Sequence, residues 1–156
     1  MEIQQSNDKK YYWLASYPLE EGSVVLPGNW GRIIDLYKSD GPILTYLREK
    51  ILEKVRSKDF PDLPSRMTSI FLCESIGNAK LFRDANGRFL DILYEVELLD
   101  KEKPLFRTDW SYLNWPSTPF FLKQFEEMAY LYWKAENIQN PEILTESRIK
   151  IIRKIE

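Results

Sequence analysis

The chain has 156 residues, 44% hydrophobic and 14% aromatic, with 22 basic against 24 acidic side chains and a formal charge of -2. That length predicts one domain over residues 1–156 with a real core, and the near balance of charge excludes the broad basic footprint of a general nucleic-acid binder. Histidine is absent, which removes His-based general bases, Ser-His-Asp and Cys-His nucleophiles and most zinc sites; no metal is expected.

Carboxylates, hydroxyls, arginines and aromatics are left to carry any chemistry. Cys73 is the only cysteine; an intrachain disulfide is excluded, and the apolar run SIFLC around it predicts a small buried side chain rather than a reactive thiol. No apolar run approaches the length needed to cross a bilayer, and MEIQQSNDKK is polar with no secretory character, so a soluble cytoplasmic protein without membrane contact is expected.

In chain order, KYYWLASYP is aromatic and β-favouring and is followed by the turn signal EEG and the extended piece SVVLPG, predicting an opening strand pair. From Asp40 the pattern turns helical. Pro42 suits a first turn, Ile43, Leu44, Leu47, Ile51 and Val55 fall at helical spacing, and KDFPDLP ends the helix. SRMTSIFLCES reads as a loop entering a buried strand, with Ser75 capping a short helix over Ile76 to Ala85 before a hairpin-like turn at Asn86 and Gly87. RFLDILYEVELL is a long strand candidate with only partial alternation.

KEKPLFRTDWSYLNWPSTP reads as irregular, and FFLKQFEEMAYLYWKAE as a helix. Within that irregular stretch, Arg107 to Pro119 offers Trp110, Tyr112 and Trp115 either as stacking platforms for a base or protein partner, or as packing onto the sheet. The helix aromatics Tyr130, Tyr132 and Trp133 predict core, and Glu126, Glu127 and Glu136 a solvated face. PEIL and RIKIIRKI complete the sheet as two closing strands, with Glu142 at the mouth of the first and Glu146 in a turn. Composition and periodicity together predict an α+β domain of several short strands and two or three helices.

YYWLASYPLEEGSVVLPGNWGR, PSRMTSIFLCES, ILYEVELLDKEKPLFRTDW, AYLYWKAE and PEILTESRIKII, in that order and over nearly the whole chain, resemble bacterial proteins with an ADP-ribosyltransferase-like fold, of the DarT and diphtheria-toxin kind. The resemblance implies a split, mostly antiparallel sheet around a cleft that binds NAD as a substrate. It also implies transfer of ADP-ribose to a protein or nucleic-acid acceptor with release of nicotinamide. Bacterial proteins of this fold serve as toxins in toxin-antitoxin and phage-defence systems, which makes a protein antitoxin an expected partner by analogy.

PEIL is similar to the glutamate-bearing strand of DarT-type transferases, which carries the catalytic carboxylate over to Glu142. Such a carboxylate, bonded to the ribose 2′-hydroxyl, strengthens its interaction as oxocarbenium charge develops. The hydroxyl-bearing element matches PSRMTSIFL, with Ser69 first and Thr68 second as catalytic support; a cap or turn role is the alternative for either. The resemblance implies Arg66 as a partner of the NAD pyrophosphate, or else a surface arginine.

Where relatives carry His or Arg on the first strand, YYWLAS carries Trp13, which either stacks on a ring of NAD or packs in the core; Ser16 joins the same cofactor-binding set. In PGNWGR the two glycines allow close backbone approach to a ligand, Asn29 offers amide hydrogen bonds and Arg32 a phosphate clamp, unless the segment is an ordinary tight turn. The departure at Trp13 also admits a catalytically inactive nucleotide-binding or protein-interaction module of the same fold. A third possibility is an interaction protein that docks through its aromatic loop.

Overall fold

In YYWLA, residues of strand parity alternate between two buried faces, and the strand they form, β1 (Tyr11–Ala15), runs antiparallel to β4 (Ile92–Leu98) with Trp13 opposite Tyr94. The computed structural model describes residues 9–115 and 120–156; the N-terminal MEIQQSND and the PSTP end of the aromatic loop lie outside them. β4 also pairs with β7 (Ile149–Lys154), and β7 with the short β2 (Val24–Val25), giving a four-stranded antiparallel sheet of order β1-β4-β7-β2.

The position of β4 explains its partial alternation. Leu93, Tyr94, Glu95 and Val96 are all buried in succession, because the strand is flanked on both edges and covered on both faces. The expected opening strand pair is corrected: β1 and β2 both exist, but they lie at opposite edges of this sheet.

A second antiparallel sheet has the order β3-β6-β5, from β3 (Ile70–Leu72), β5 (Leu105–Asp109) and β6 (Pro141–Thr145). β6 and β7 therefore do not close one sheet together; each is an inner strand of a different one. The sheets touch through one bridge, in which the Tyr12 amide donates to the Cys73 carbonyl at 2.9 Å and the Cys73 amide to the Tyr12 carbonyl at 2.8 Å.

Within the stretch expected to be irregular, KEKPLFRTDWSYL holds β5 and the 3₁₀ turn Trp110–Leu113, so this part of it is regular. Phe106 and Thr108 are buried while Leu105 and Arg107 are exposed, a short period-2 pattern flanked by a proline and charges that obscured it. Trp110 and Trp115 are buried, each 8% exposed, so these two aromatics pack onto the fold rather than stand out as platforms.

Four helices cover the sheets among the described residues: α1 (Asn29–Asp35), α2 (Ile43–Asp59), α3 (Ile76–Ala85) and α4 (Leu122–Lys134). PGNWGR, read as either a ligand-approaching segment or an ordinary tight turn, leads instead into the helix α1. Gly28, at φ 99°, turns the chain into it, and a Cβ on Gly31 would stand 2.1 Å from the Met67 carbonyl oxygen, so the close approach made by this glycine is to backbone and not to a ligand. α3 has the expected bounds, with the Ser75 hydroxyl accepting from the Asn78 amide at 3.0 Å. Asn86 and Gly87 end that helix, Gly87 at φ 65°, instead of forming a hairpin.

The layers stack as α3, first sheet, second sheet, then α2 with α4. Tyr12, Leu14 and Leu93 meet Ala79 and Phe82 of α3; Tyr94, Val96, Ile149 and Ile151 meet Ile70, Leu72 and Ile143 between the sheets; Phe106 and Leu144 meet Leu52, Phe125, Ala129 and Trp133 on the helical side. Each large apolar side chain so buried contributes roughly 1.5–3 kcal/mol. The architecture is α+β. Among the described residues no helix is long and apolar enough to cross a membrane.

Candidate functional site

Glu142 stands at the N-terminal end of β6, the middle strand of the second sheet, opposite Thr108 of β5. β5 pairs with it on one side while pairing with β3 begins one residue later at Ile143, and the start of the strand is clamped by Asp109, whose carboxylate accepts from the amides of Gln139 at 2.9 Å and Asn140 at 3.2 Å. Parity with Leu144 turns its side chain toward the helical layer. There it is 6% exposed and lies among polar groups.

The Tyr132 hydroxyl donates to Glu142 Oε2 at 2.7 Å, and Arg66 Nη1 donates to the same oxygen at 3.2 Å. Arg66 Nη1 also donates to the Tyr132 oxygen at 2.6 Å. The rest of the guanidinium fork is held by Glu49, through Nε to Oε2 at 2.9 Å and Nη2 to Oε1 at 3.1 Å. Its plane lies over the rings of Phe71 and Tyr132, 4.7 and 5.2 Å from their centroids. Arg48 donates to Glu49 at 2.9 Å and to the Leu113 carbonyl at 3.3 Å.

Two guanidiniums and two carboxylates thus form a buried assembly that is neutral as a whole. Burial by itself would raise the Glu49 carboxyl, but Arg66 and Arg48 outweigh it and hold the group below the usual carboxylate range. Burial would likewise depress Arg66, yet Glu49, then Tyr132 and Glu142, hold it well above its ordinary value. Burial and the Glu142 charge push the Tyr132 phenol well above its usual range against the opposing pull of Arg66, so Tyr132 stays a proton donor. Both donors to Glu142 converge on Oε2, and among the described residues no side chain or amide donates to Oε1.

A pocket of about 500 Å³ opens beside this assembly, between the end of β1, the start of α1, β3 and the 3₁₀ turn, a size within the range of about 300–1,000 Å³ typical of ligand sites. It brings together Trp13, Ser16, Asn29, Arg66, Ser69 and Glu142. Ser69 is 2% exposed, its hydroxyl has no partner, and its carbonyl accepts from the Gly28 amide at 3.1 Å. Trp13 is partly buried and packs against the core between the sheets while also lining the pocket.

Two expected site residues lie elsewhere. Thr68 is exposed and its hydroxyl donates to Glu146 at 3.0 Å and to the Ser65 carbonyl at 3.4 Å, a turn role. Arg32 is exposed and donates from Nε and Nη2 to Asn29 Oδ1, at 3.0 and 2.9 Å, outside the pocket lining. Arg66 reaches the pocket, but as a buried group whose fork is taken by Glu49 and Glu142; it is neither a surface arginine nor a free phosphate clamp.

Tyr132, Glu49, Arg48 and Trp30 are the additions. Glu49 shares one face of α2 with Leu52 and Val55, and Tyr132 shares the buried stripe of α4 with Phe125, Ala129 and Trp133. A glutamate and a phenol inside apolar stripes are the sequence signals that mark them. Cys73 also lines the pocket, half-buried, with its thiol pushed up to about 12 by burial and then by Glu142; a thiol so shifted is a poor nucleophile at neutral pH.

No group of three or more His, Cys, Asp or Glu side chains able to hold a metal occurs among the described residues. No curated protein matches the chain. The model of one family matches residues 3–156, and the chain accordingly belongs to that family, described as "Protein of unknown function (DUF2441)".

Proposed function

We propose that the protein is a mono-ADP-ribosyltransferase that binds NAD in this pocket and cleaves its nicotinamide–ribose bond at Glu142. The observation that carries the proposal is the half-anchored carboxylate: Oε2 is pinned by Tyr132 and Arg66, and among the described residues nothing donates to Oε1, at the wall of a pocket of cofactor size. A ribose hydroxyl donating to Oε1 gains strength as positive charge builds on the ring, which is stabilisation specific to the transition state. In this reading Ser69 supports the nicotinamide end of the ligand and Trp13 stacks on a ring. Two antiparallel sheets that meet at one bridge beside the pocket suit the split sheet expected of such transferases.

The acceptor in this proposal is a macromolecule, protein or nucleic acid, in the cytoplasm. A role as the toxin of a toxin-antitoxin or phage-defence pair, with a protein antitoxin, follows by analogy with bacterial transferases of the kind the sequence resembles. The test is incubation of the purified protein with NAD labelled on the adenylate phosphate in a lysate containing protein and nucleic acid, beside Glu142→Gln. Transfer of label by the wild type and at least about a 100-fold loss in the variant is the expected result. Nuclease or protease sensitivity then names the acceptor class. No transfer and no nicotinamide release in any lysate would end the enzyme proposal.

One observation favours a second reading, an inactive nucleotide-binding or protein-interaction module. Trp13, where transferases of this fold carry His or Arg, packs against the core. NAD binding without turnover is its signature.

A further inference from the structure

Four buried side-chain nitrogen or oxygen atoms among the described residues lack a hydrogen-bond partner, and three of them, Trp30 Nε1, Arg48 Nε and Ser69 Oγ, belong to residues that line the pocket. Buried polar groups are ordinarily satisfied, and leaving one unpaired costs about 1–3 kcal/mol. Two of the three are pure donors and the third donates or accepts. Around them the walls are aromatic, with Trp13, Tyr17, Trp30, Phe71, Phe82 and Trp110 all contributing.

The charges of the pocket tell the complementary half. Its cations are Arg48, Arg66 and Arg88, and no lysine lines it among the described residues. Each of the three is already paired: Arg48 with Glu49, Arg66 with Glu49 and Glu142, and Arg88 with Asp91. A site built on phosphate presents uncompensated guanidinium or ammonium groups, or a cradle of backbone amides. Here the guanidiniums are neutralised, and the buried side-chain donors left without a partner among the described residues are an indole N–H, a hydroxyl and one guanidinium edge.

We propose that the pocket recognises its ligand through a flat heteroaromatic ring bearing a neutral acceptor, such as a carboxamide or ring carbonyl read by Trp30 and Ser69, and that the ligand's phosphates stay outside it. The choice of nicotinamide-containing probes rests on the NAD reading; the recognition mode does not.

The experiment is calorimetric titration of the purified protein, at low and high salt, with NAD, nicotinamide riboside and ADP-ribose. Adenosine, guanosine, cytidine and uridine complete the set. Nicotinamide riboside is expected to bind within about tenfold of NAD with an affinity nearly independent of salt, and ADP-ribose, which lacks the ring, at least about tenfold more weakly. Trp30→Phe keeps an aromatic ring and removes the N–H; it is expected to weaken nicotinamide riboside about tenfold and leave ADP-ribose unchanged. Ser69→Ala, which removes only the unpartnered hydroxyl, provides a second variant with the same expected pattern, each checked for an unchanged melting temperature.

ADP-ribose binding as tightly as NAD, with steep salt dependence, overturns the proposal even where NAD is turned over. So does unchanged affinity in both variants. Failure of every unphosphorylated nucleoside to bind overturns it as well. Binding of one of the four base nucleosides, lost in Trp30→Phe and with no binding of nicotinamide riboside, supports the recognition mode while ending the NAD reading.

Discussion

At the scale of single residues, Tyr132 decides the geometry of the carboxylate beside it. Its hydroxyl takes a hydrogen bond from Arg66 and gives one to Glu142, so the phenol is both oriented and held protonated. Tyr132→Phe keeps the ring packing and deletes both bonds. For the proposed reaction it is expected to lower kcat of nicotinamide release about tenfold or more with KM changed less than about threefold, the signature of a lost transition-state interaction; equal kinetics in the two proteins would exclude this positioning role. Glu49→Gln has a different outcome. It leaves Arg66 buried with one carboxylate in place of two, and a loss of about 3 kcal/mol in denaturant unfolding is expected.

At the scale of elements, local signals were legible and pairings were not. α3 was readable because both of its ends are written nearby, in the Ser75 cap and the Asn86–Gly87 stop. Ser75→Ala is expected to cost about 1 kcal/mol by chemical denaturation, since it orphans the Asn78 amide. α1 was not legible, because the reason for its glycine is the Met67 carbonyl 36 positions away in sequence. Gly31→Ala forces a Cβ into that backbone atom and is expected to destabilise by about 1–3 kcal/mol with a displaced α1, measured by thermal melts. A change below about half a kcal/mol would show that the contact yields freely.

The strands tell the same story. PEIL and RIKII were recognised as strands from composition, but nothing within either segment says that one joins β3 and β5 while the other joins β4 and β2. Of the candidate site, Glu142 and Ser69 were legible only through the family resemblance. Tyr132 was read as core, which it is, while its hydroxyl could be assigned only once α4 was seen packed against β6.

At the scale of the whole molecule, the buried carboxylates link folding to pH. In Glu49 and Glu53 burial opposes ionisation but the adjoining arginines prevail, and in Asp109 the Ser111 hydroxyl with the amides of Gln139, Ser111 and Asn140 does the same. All three therefore titrate lower in the folded chain than in the unfolded one. The unfolded chain takes up protons first, so this stabilisation is complete above the ordinary carboxylate values and drains as pH falls below about 4.5 through the folded-state values. Thermal melts from neutral to acid pH are expected to show a falling midpoint in that window, with a shallower fall in Glu49→Gln. A midpoint independent of pH there would contradict the assignment of these ion pairs.

The placement of β7 between β4 and β2 has a consequence for timing. A nascent chain that has grown only as far as residue 146 carries every residue that lines the pocket, yet β4 still lacks one neighbour and β2 has no strand to pair with. The walls formed by Trp13 and Val25 are then held by half a sheet. Completion of the first sheet thus waits for residues 149–154, which come later in the chain than every residue lining the pocket among those described.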